Sequence, residues 1–207
     1  MGYTEGFDLK IWEADFNQIE RQVFDEGSEL YEYKPDIVII FHSTHKLLCK
    51  YNKLSTDDKR SLAETRMDLI EQLNHKIQTA LKAKFIYYNY PEINDTIFGN
   101  YANKTSGSFL YQLRKLNFEL MQYASSSPNF FLCDLSSVQN FYGKATFFHS
   151  SMYINTEMVL SIDVLPAVAF QTTGLIQALH GRFKKCLILD LDNTTWGGII
   201  GDDGLEN

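Results

Sequence analysis

The sequence predicts an α/β fold built on a parallel sheet with helices on both faces, and three observations lead there. Short apolar runs alternate along the chain with longer segments whose apolar residues recur at helical spacing. One run, DIVIIF at 36–41, is continuously apolar, as expected of a strand covered on both sides. Another, KKCLILD at 184–190, ends in a carboxylate at the point where a strand gives way to a loop. Strands separated by helices of about ten or more residues describe parallel βαβ units.

Each element has its own signal. Residues 7–13 (FDLKIWE) alternate apolar and polar and read as a strand. Residues 15–25 carry Phe16, Ile19, Val23 and Phe24 at helical spacing, and residues 28–33 form a short turn or helix before Pro35. After the 36–41 strand, Ser55-Thr56-Asp57-Asp58 is an N-terminal cap signal. From there to about residue 83, Leu62, Met67, Ile70, Leu73, Ile77 and Leu81 mark one long helix. Residues 85–89 (FIYYN) read as a strand, 90–106 as a long loop, 107–124 as a helix and 129–134 (NFFLCD) as a strand. A short helix falls near 136–141, a long one at 165–180 closed by Gly181, and the fifth strand at 184–190.

Composition narrows the function classes. The 207 residues are 44% hydrophobic and 22% charged, enough apolar side chain to bury a core and too much for a disordered chain. The net charge of -7 argues against nucleic-acid binding, which calls for clustered Lys and Arg. No stretch approaches the ~20 uninterrupted apolar residues of a membrane span, and the N-terminus has no secretory pattern. Cys49, Cys133 and Cys186 are odd in number and far apart, which argues for a reducing cytoplasm and against disulfides. With 12 Tyr and 15 Phe, an aromatic core is expected.

Parallel sheets take their ligands beyond the strand C-termini. That rule points to Phe41-His42-Ser43, Asn89-Tyr90, Cys133-Asp134 and Asp190-Leu191-Asp192. The last carries the chemistry. In Asp190-Leu191-Asp192-Asn193-Thr194 the first carboxylate, at the strand tip, is placed to attack phosphorus. The second, two residues on, can turn back as general acid or base. Two close carboxylates also attract Mg²⁺, which prefers oxygen ligands. Other residues read more plainly. His42 and His45 fit a polar helix entry capped by Ser43 or Thr44, with a metal or phosphate contact as the alternative. Asp134 and His149 could pair as orienter and base, with no activated Ser identifiable beside them. Asn94 and Asp95 read as solvated turn residues, Cys186 as a core residue, and the acidic residues of 57–71 as the wet face of a helix. Phe147, Phe148 and Tyr153 read as core packing, with a partner surface as the alternative.

DLDNTTWGGIIGDDG, at 190–204, resembles the first motif of the haloacid dehalogenase superfamily, and more narrowly that of FkbH-like proteins, with Thr195 where the usual residue is Leu. The resemblance implies Asp190 as nucleophile, Asp192 as acid/base and Thr194 as loop support, with Mg²⁺ held by Asp190 and the Asp192 backbone carbonyl. Upstream, Ser28-Glu29-Leu30-Tyr31, Pro35-Asp36-Ile37-Val38, Phe98-Gly99-Asn100 and Leu116-Asn117 resemble the FkbH-like N-terminal domain, whose sheet is flavodoxin- or SGNH-like. The implied division is residues 1–182 for that domain and 183–207 for the start of a catalytic domain. Seventeen residues follow Asp190, too few for the strands that complete such a core, so the chain reads as a fragment inactive by itself. The resemblance further implies dephosphorylation of an acyl phosphate and passage of the acyl group to a carrier-protein thiol. Its partners would be an acyl carrier protein and a phosphorylated small molecule. Two other readings stay open: a non-catalytic module recognising a carrier protein, and a residual SGNH-like esterase. The esterase finds little support, since there is no GDS nucleophile motif and no GxND block after the second strand.

Overall fold

The computed structural model describes residues 8–93, 95–149, 153–154 and 156–182. The predicted strand at 184–190, Cys186, Asn94 and the motif residues Asp190, Asp192 and Thr194 lie outside the described residues.

Two short helices, α1 (Ile19–Phe24) and α2 (Glu29–Tyr33), precede strand β1 (Ile37–Ile40). Helices α3 (Thr44–Asn52), α4 (Thr56–Arg60) and α5 (Leu62–Lys76) follow, and α5 runs into a π-helical turn, Ile77–Leu81. Strand β2 (Lys84–Tyr88), helix α6 (Phe109–Ser126), strand β3 (Phe130–Cys133) and helices α7 (Leu135–Tyr142) and α8 (Lys144–Phe147) complete the next stretch. The last described helix is α9 (Leu165–Leu179). The chain divides into compact units at residues 1–173 and 174–207. The sheet described next lies in the first; in the second, Gly181 stands at φ +71° just past α9, where a side chain would be strained.

The sheet is parallel and ordered β1-β2-β3, with Val38 opposite Phe85 and Tyr87 opposite Leu132. Side chains alternate across it. Val38, Ile40, Phe85, Tyr87 and Phe130 join one core with Ile70 and Leu73 of α5 and Leu113 and Leu116 of α6. On the other side, Phe41 and Tyr88 pack against a second core of Leu135, Val138, Phe147, Val164 and Val168. Phe85, Ile86 and Tyr87 are fully buried. Burial of that kind contributes about 1.5–3 kcal/mol for each large apolar side chain.

The α/β architecture expected from the sequence is present, with four local differences. Residues 8–13 form no strand. Ile11 is 81% exposed there; Trp12 stacks 6.1 Å from Tyr33, whose hydroxyl donates to the Lys10 carbonyl at 2.8 Å. Among the described residues β1 pairs only with β2, and one face of it is not fully covered, since Ile39 stays 43% exposed. The single helix expected from residue 55 breaks at Ser61, whose hydroxyl donates to the Asp58 carbonyl at 3.2 Å and competes with helix propagation. The loop at 90–106 contains a 3₁₀ turn, Gly99–Lys104. By length and composition Ile162–Leu179 could cross a membrane, yet its Val164 and Val168 are buried in the second core.

Candidate functional site at the strand ends

Three of the four strand ends named by the sequence converge at the C-terminal edge of the sheet. β1 runs through Phe41 and His42 into Ser43, whose hydroxyl accepts from the Lys46 backbone N–H at 3.4 Å and caps α3. The cap reading of this turn therefore holds, and it turns His42 back over the sheet.

His42 heads a buried polar chain. Its Nδ1 lies 2.8 Å from the Tyr87 hydroxyl, that hydroxyl 2.6 Å from the Tyr90 hydroxyl, and Arg66 Nε donates to the Tyr90 oxygen at 2.8 Å. Either hydroxyl of the Tyr87–Tyr90 pair can donate, and one order uses every hydrogen: Arg66 only donates, Tyr90 accepts from it and donates to Tyr87, and Tyr87 donates to His42 Nδ1. This order pairs every hydroxyl hydrogen in the chain, and it makes His42 the tautomer with hydrogen on Nε2. That Nε2 is buried without a partner among the described residues. Burial, followed by the charges of Arg66 and Lys50, pushes the His42 imidazole down to about 2. It is neutral at physiological pH. Burial opposes the Arg66 charge, and the neighbouring Tyr90 and Tyr87 hydroxyls more than offset it, so the guanidinium stays charged.

The backbone leaving β2 is held by side-chain amides. Asn117 accepts from the Tyr90 N–H at 2.9 Å and donates to the Tyr90 carbonyl at 2.7 Å. Gln139 treats Glu92 the same way, at 2.8 and 3.0 Å. Thr44 Oγ1 donates to the Pro91 carbonyl at 2.9 Å. The Glu92 carboxylate takes charged hydrogen bonds from Arg114 at 2.5 Å and Lys144 at 2.7 Å. Beside it, Asn89 Nδ2 donates to Asp134 Oδ1 at 2.6 Å, which also accepts from the Ser137 N–H at 3.1 Å and caps α7.

The residues named from sequence are thus sorted by the fold. Asp134 serves Asn89 and the α7 cap. His149 lines a cavity with His45. Cys133 is buried 3.7 Å from the Thr172 hydroxyl, and burial pushes its thiol up, away from the nucleophilic thiolate form. Phe147 is fully buried, as core packing requires. Among the described residues no three His, Cys, Asp or Glu side chains gather to hold a metal.

Sequence reading missed Arg66 and Tyr87, and named Tyr90 only as part of the Asn89-Tyr90 strand end, without a role. The signal for Arg66 was its register: it falls four residues after Leu62 and four before Ile70, on the buried stripe of α5. Tyr87 carried no comparable mark, since a buried Tyr is ordinarily core.

The family model for FkbH, N-terminal domain, matches residues 1–177. Among solved structures, the chain is similar to the N-terminal part of the protein BF1531 from Bacteroides fragilis, described as containing a phosphatase domain and complexed with Mg. Identity is 50% and the TM-score 0.91, and the match covers 100% of this chain and 54% of that one. This chain therefore spans about half the length of that solved relative. Comparison with curated proteins brings out no match.

Proposed function

The chain belongs to the FkbH family through its N-terminal domain, and from that premise we propose that it is the N-terminal part of a Mg²⁺-dependent phosphotransferase of the haloacid dehalogenase type. The observation that carries this reading is the 50% identity over the whole chain to a protein described as containing a phosphatase domain with Mg. The DLDNTTWGG segment lies within that matched length.

In this reading residues 1–182 form the binding domain and 183–207 open the catalytic one. The Asp190 carboxylate attacks the phosphorus of an acyl phosphate, and the bond from phosphorus to the acyl oxygen breaks. Asp192 supplies a proton to the departing oxygen where one is needed, then takes the proton of the water that hydrolyses the aspartyl phosphate. Thr194 supports the loop between them. The Asp190 carboxylate and the Asp192 carbonyl are hard oxygen donors, the type that suits Mg²⁺. When bound, the ion would neutralise negative charge on the transferring group. Passage of the acyl group to an acyl carrier protein in the cytoplasm is a separate displacement on an intact acyl phosphate: the carrier thiolate attacks the acyl carbonyl, the carbon–oxygen bond breaks and inorganic phosphate leaves.

The test compares the 207-residue chain with a polypeptide extended to the relative's length, using p-nitrophenyl phosphate and Mg²⁺. Turnover is expected only in the longer protein, falling by about 10³-fold or more in Asp190→Asn, as for removal of a nucleophile. Mg²⁺-dependent turnover by the 207 residues, abolished by the same substitution, would overturn the division of labour.

A further inference from the structure

The last described helix, α9, differs in kind from the helices of the first core. α5 turns Glu64, Asp68, Glu71 and His75 to solvent. From Leu165 to Leu179, α9 holds no charged residue. Its buried side is a narrow stripe, Val164, Val168 and Thr172, one residue in every four. Away from that stripe Ile162, Leu165, Pro166, Ala169 and Phe170 are exposed, Phe170 to 68%. These five recur at three- and four-residue intervals and so form one continuous apolar band.

A helix that is apolar all round belongs in a fully covered place, and a contiguous apolar band in water marks a contact surface. Lipid is a poor cover. By length and composition Ile162–Leu179 could cross a membrane, yet Val164 and Val168 are held in the second core, which a lipid-wrapped helix would have to abandon. The polypeptide itself supplies a better one. The match covers 54% of a solved relative described as containing a phosphatase domain, so that protein has length beyond the part matched here. A domain joined to α9 through the chain meets the band at an effective concentration of about millimolar. An interdomain contact near the lower bound of ~600 Å² then suffices to hold it.

We propose that the band from Ile162 to Phe170 is the docking surface for the phosphatase domain that follows residue 207 in the full-length protein. The proposal rests on the reading above, in which this chain is the N-terminal part of such a protein.

The test places Ala169→Cys in the 207-residue chain and in the polypeptide extended to the relative's length. The introduced thiol lies beside Phe170, and its labelling by iodoacetamide is followed peptide by peptide with mass spectrometry. Labelling is expected to be fast in the short chain and about tenfold or more slower in the long one. Phe170→Glu or Ile162→Glu in the long protein should restore the fast rate. Neither should move the urea midpoint of the short chain, because both side chains lie mostly in solvent. Equal rates in the two lengths, or slow labelling that survives both glutamates, would overturn the proposal. So would a short-chain rate that falls with its own concentration, the mark of a second copy, or on adding phosphatidylcholine vesicles, the mark of a membrane surface. Turnover of p-nitrophenyl phosphate, measured on the same samples, separates the two readings. Turnover in the long protein without protection overturns the docking alone, and protection without turnover overturns the phosphotransfer alone.

Discussion

The Tyr87 hydroxyl stands 2.8 Å from His42 Nδ1, joining β2 to the turn that leaves β1. Tyr87 is fully buried, so its hydroxyl has no access to water as a substitute partner. Tyr87→Phe strips two neighbours at once, leaving the Tyr90 hydroxyl hydrogen without an acceptor and His42 Nδ1 without a partner, while Tyr90 still accepts from Arg66. The expected cost is about 2–6 kcal/mol, from roughly 1–3 for each orphaned group. Urea unfolding measures it; a loss below about 0.5 kcal/mol would mean the chain contributes little.

The same imidazole gives stability a pH dependence. Burial holds the folded His42 imidazole down to about 2; unfolded, it returns to its ordinary value near 6.5. The folded value is depressed, so the contribution is fully present above pH 6.5. It fades as the pH falls from there toward 2, because the unfolded chain takes up a proton that the folded chain refuses. Between about pH 6 and 4 this one group contributes at most ~1.4 kcal/mol per pH unit. His42→Gln should flatten the dependence of unfolding free energy on pH by close to one proton in that window. An unchanged slope would place the titration elsewhere.

Asn117 acts on Tyr90 as a neighbouring strand would, pairing both backbone groups at 2.9 and 2.7 Å. Asn117→Leu keeps the size and leaves the Tyr90 N–H unpaired beneath a buried ring. Hydrogen exchange at the Tyr90 amide should quicken by about tenfold or more, equivalent to ~1.4 kcal/mol of local opening. Protection equal to the parent chain would show that the amide clamp is dispensable.

Ser108 caps the longest described helix, α6. Its hydroxyl donates to the Ala102 carbonyl at 2.7 Å and accepts from the Tyr111 N–H at 3.2 Å, in a fully buried position. Ser108→Ala removes both bonds, and a loss of about 1–2 kcal/mol is expected. Ser55, capping α4 in full solvent, accepts from Asp58 N–H at 3.2 Å. Its alanine variant should lose less, and thermal melts of the two compare them directly.

Periodicity and cap chemistry are local, and these the sequence determined by itself. The strands at 36–41, 85–89 and 129–134, the helix beginning beside Ser108, and the Ser43 and Ser55 caps all follow from residues within a turn or two of one another. The 190–204 motif pointed to the family in the same way. The sheet order was decided by tertiary structure, because an apolar run does not say whether it has one neighbour or two. β1 therefore reads like a central strand, yet among the described residues it pairs only with β2 and leaves Ile39 exposed. The strand-end chemistry was decided there too. Arg66 meets Tyr90 across 24 residues, and His42 meets Tyr87, and Asn89 meets Asp134, across 45. Partners at that separation are set by how helices pack on a sheet, and packing geometry is not written in the spacing of residues along a chain.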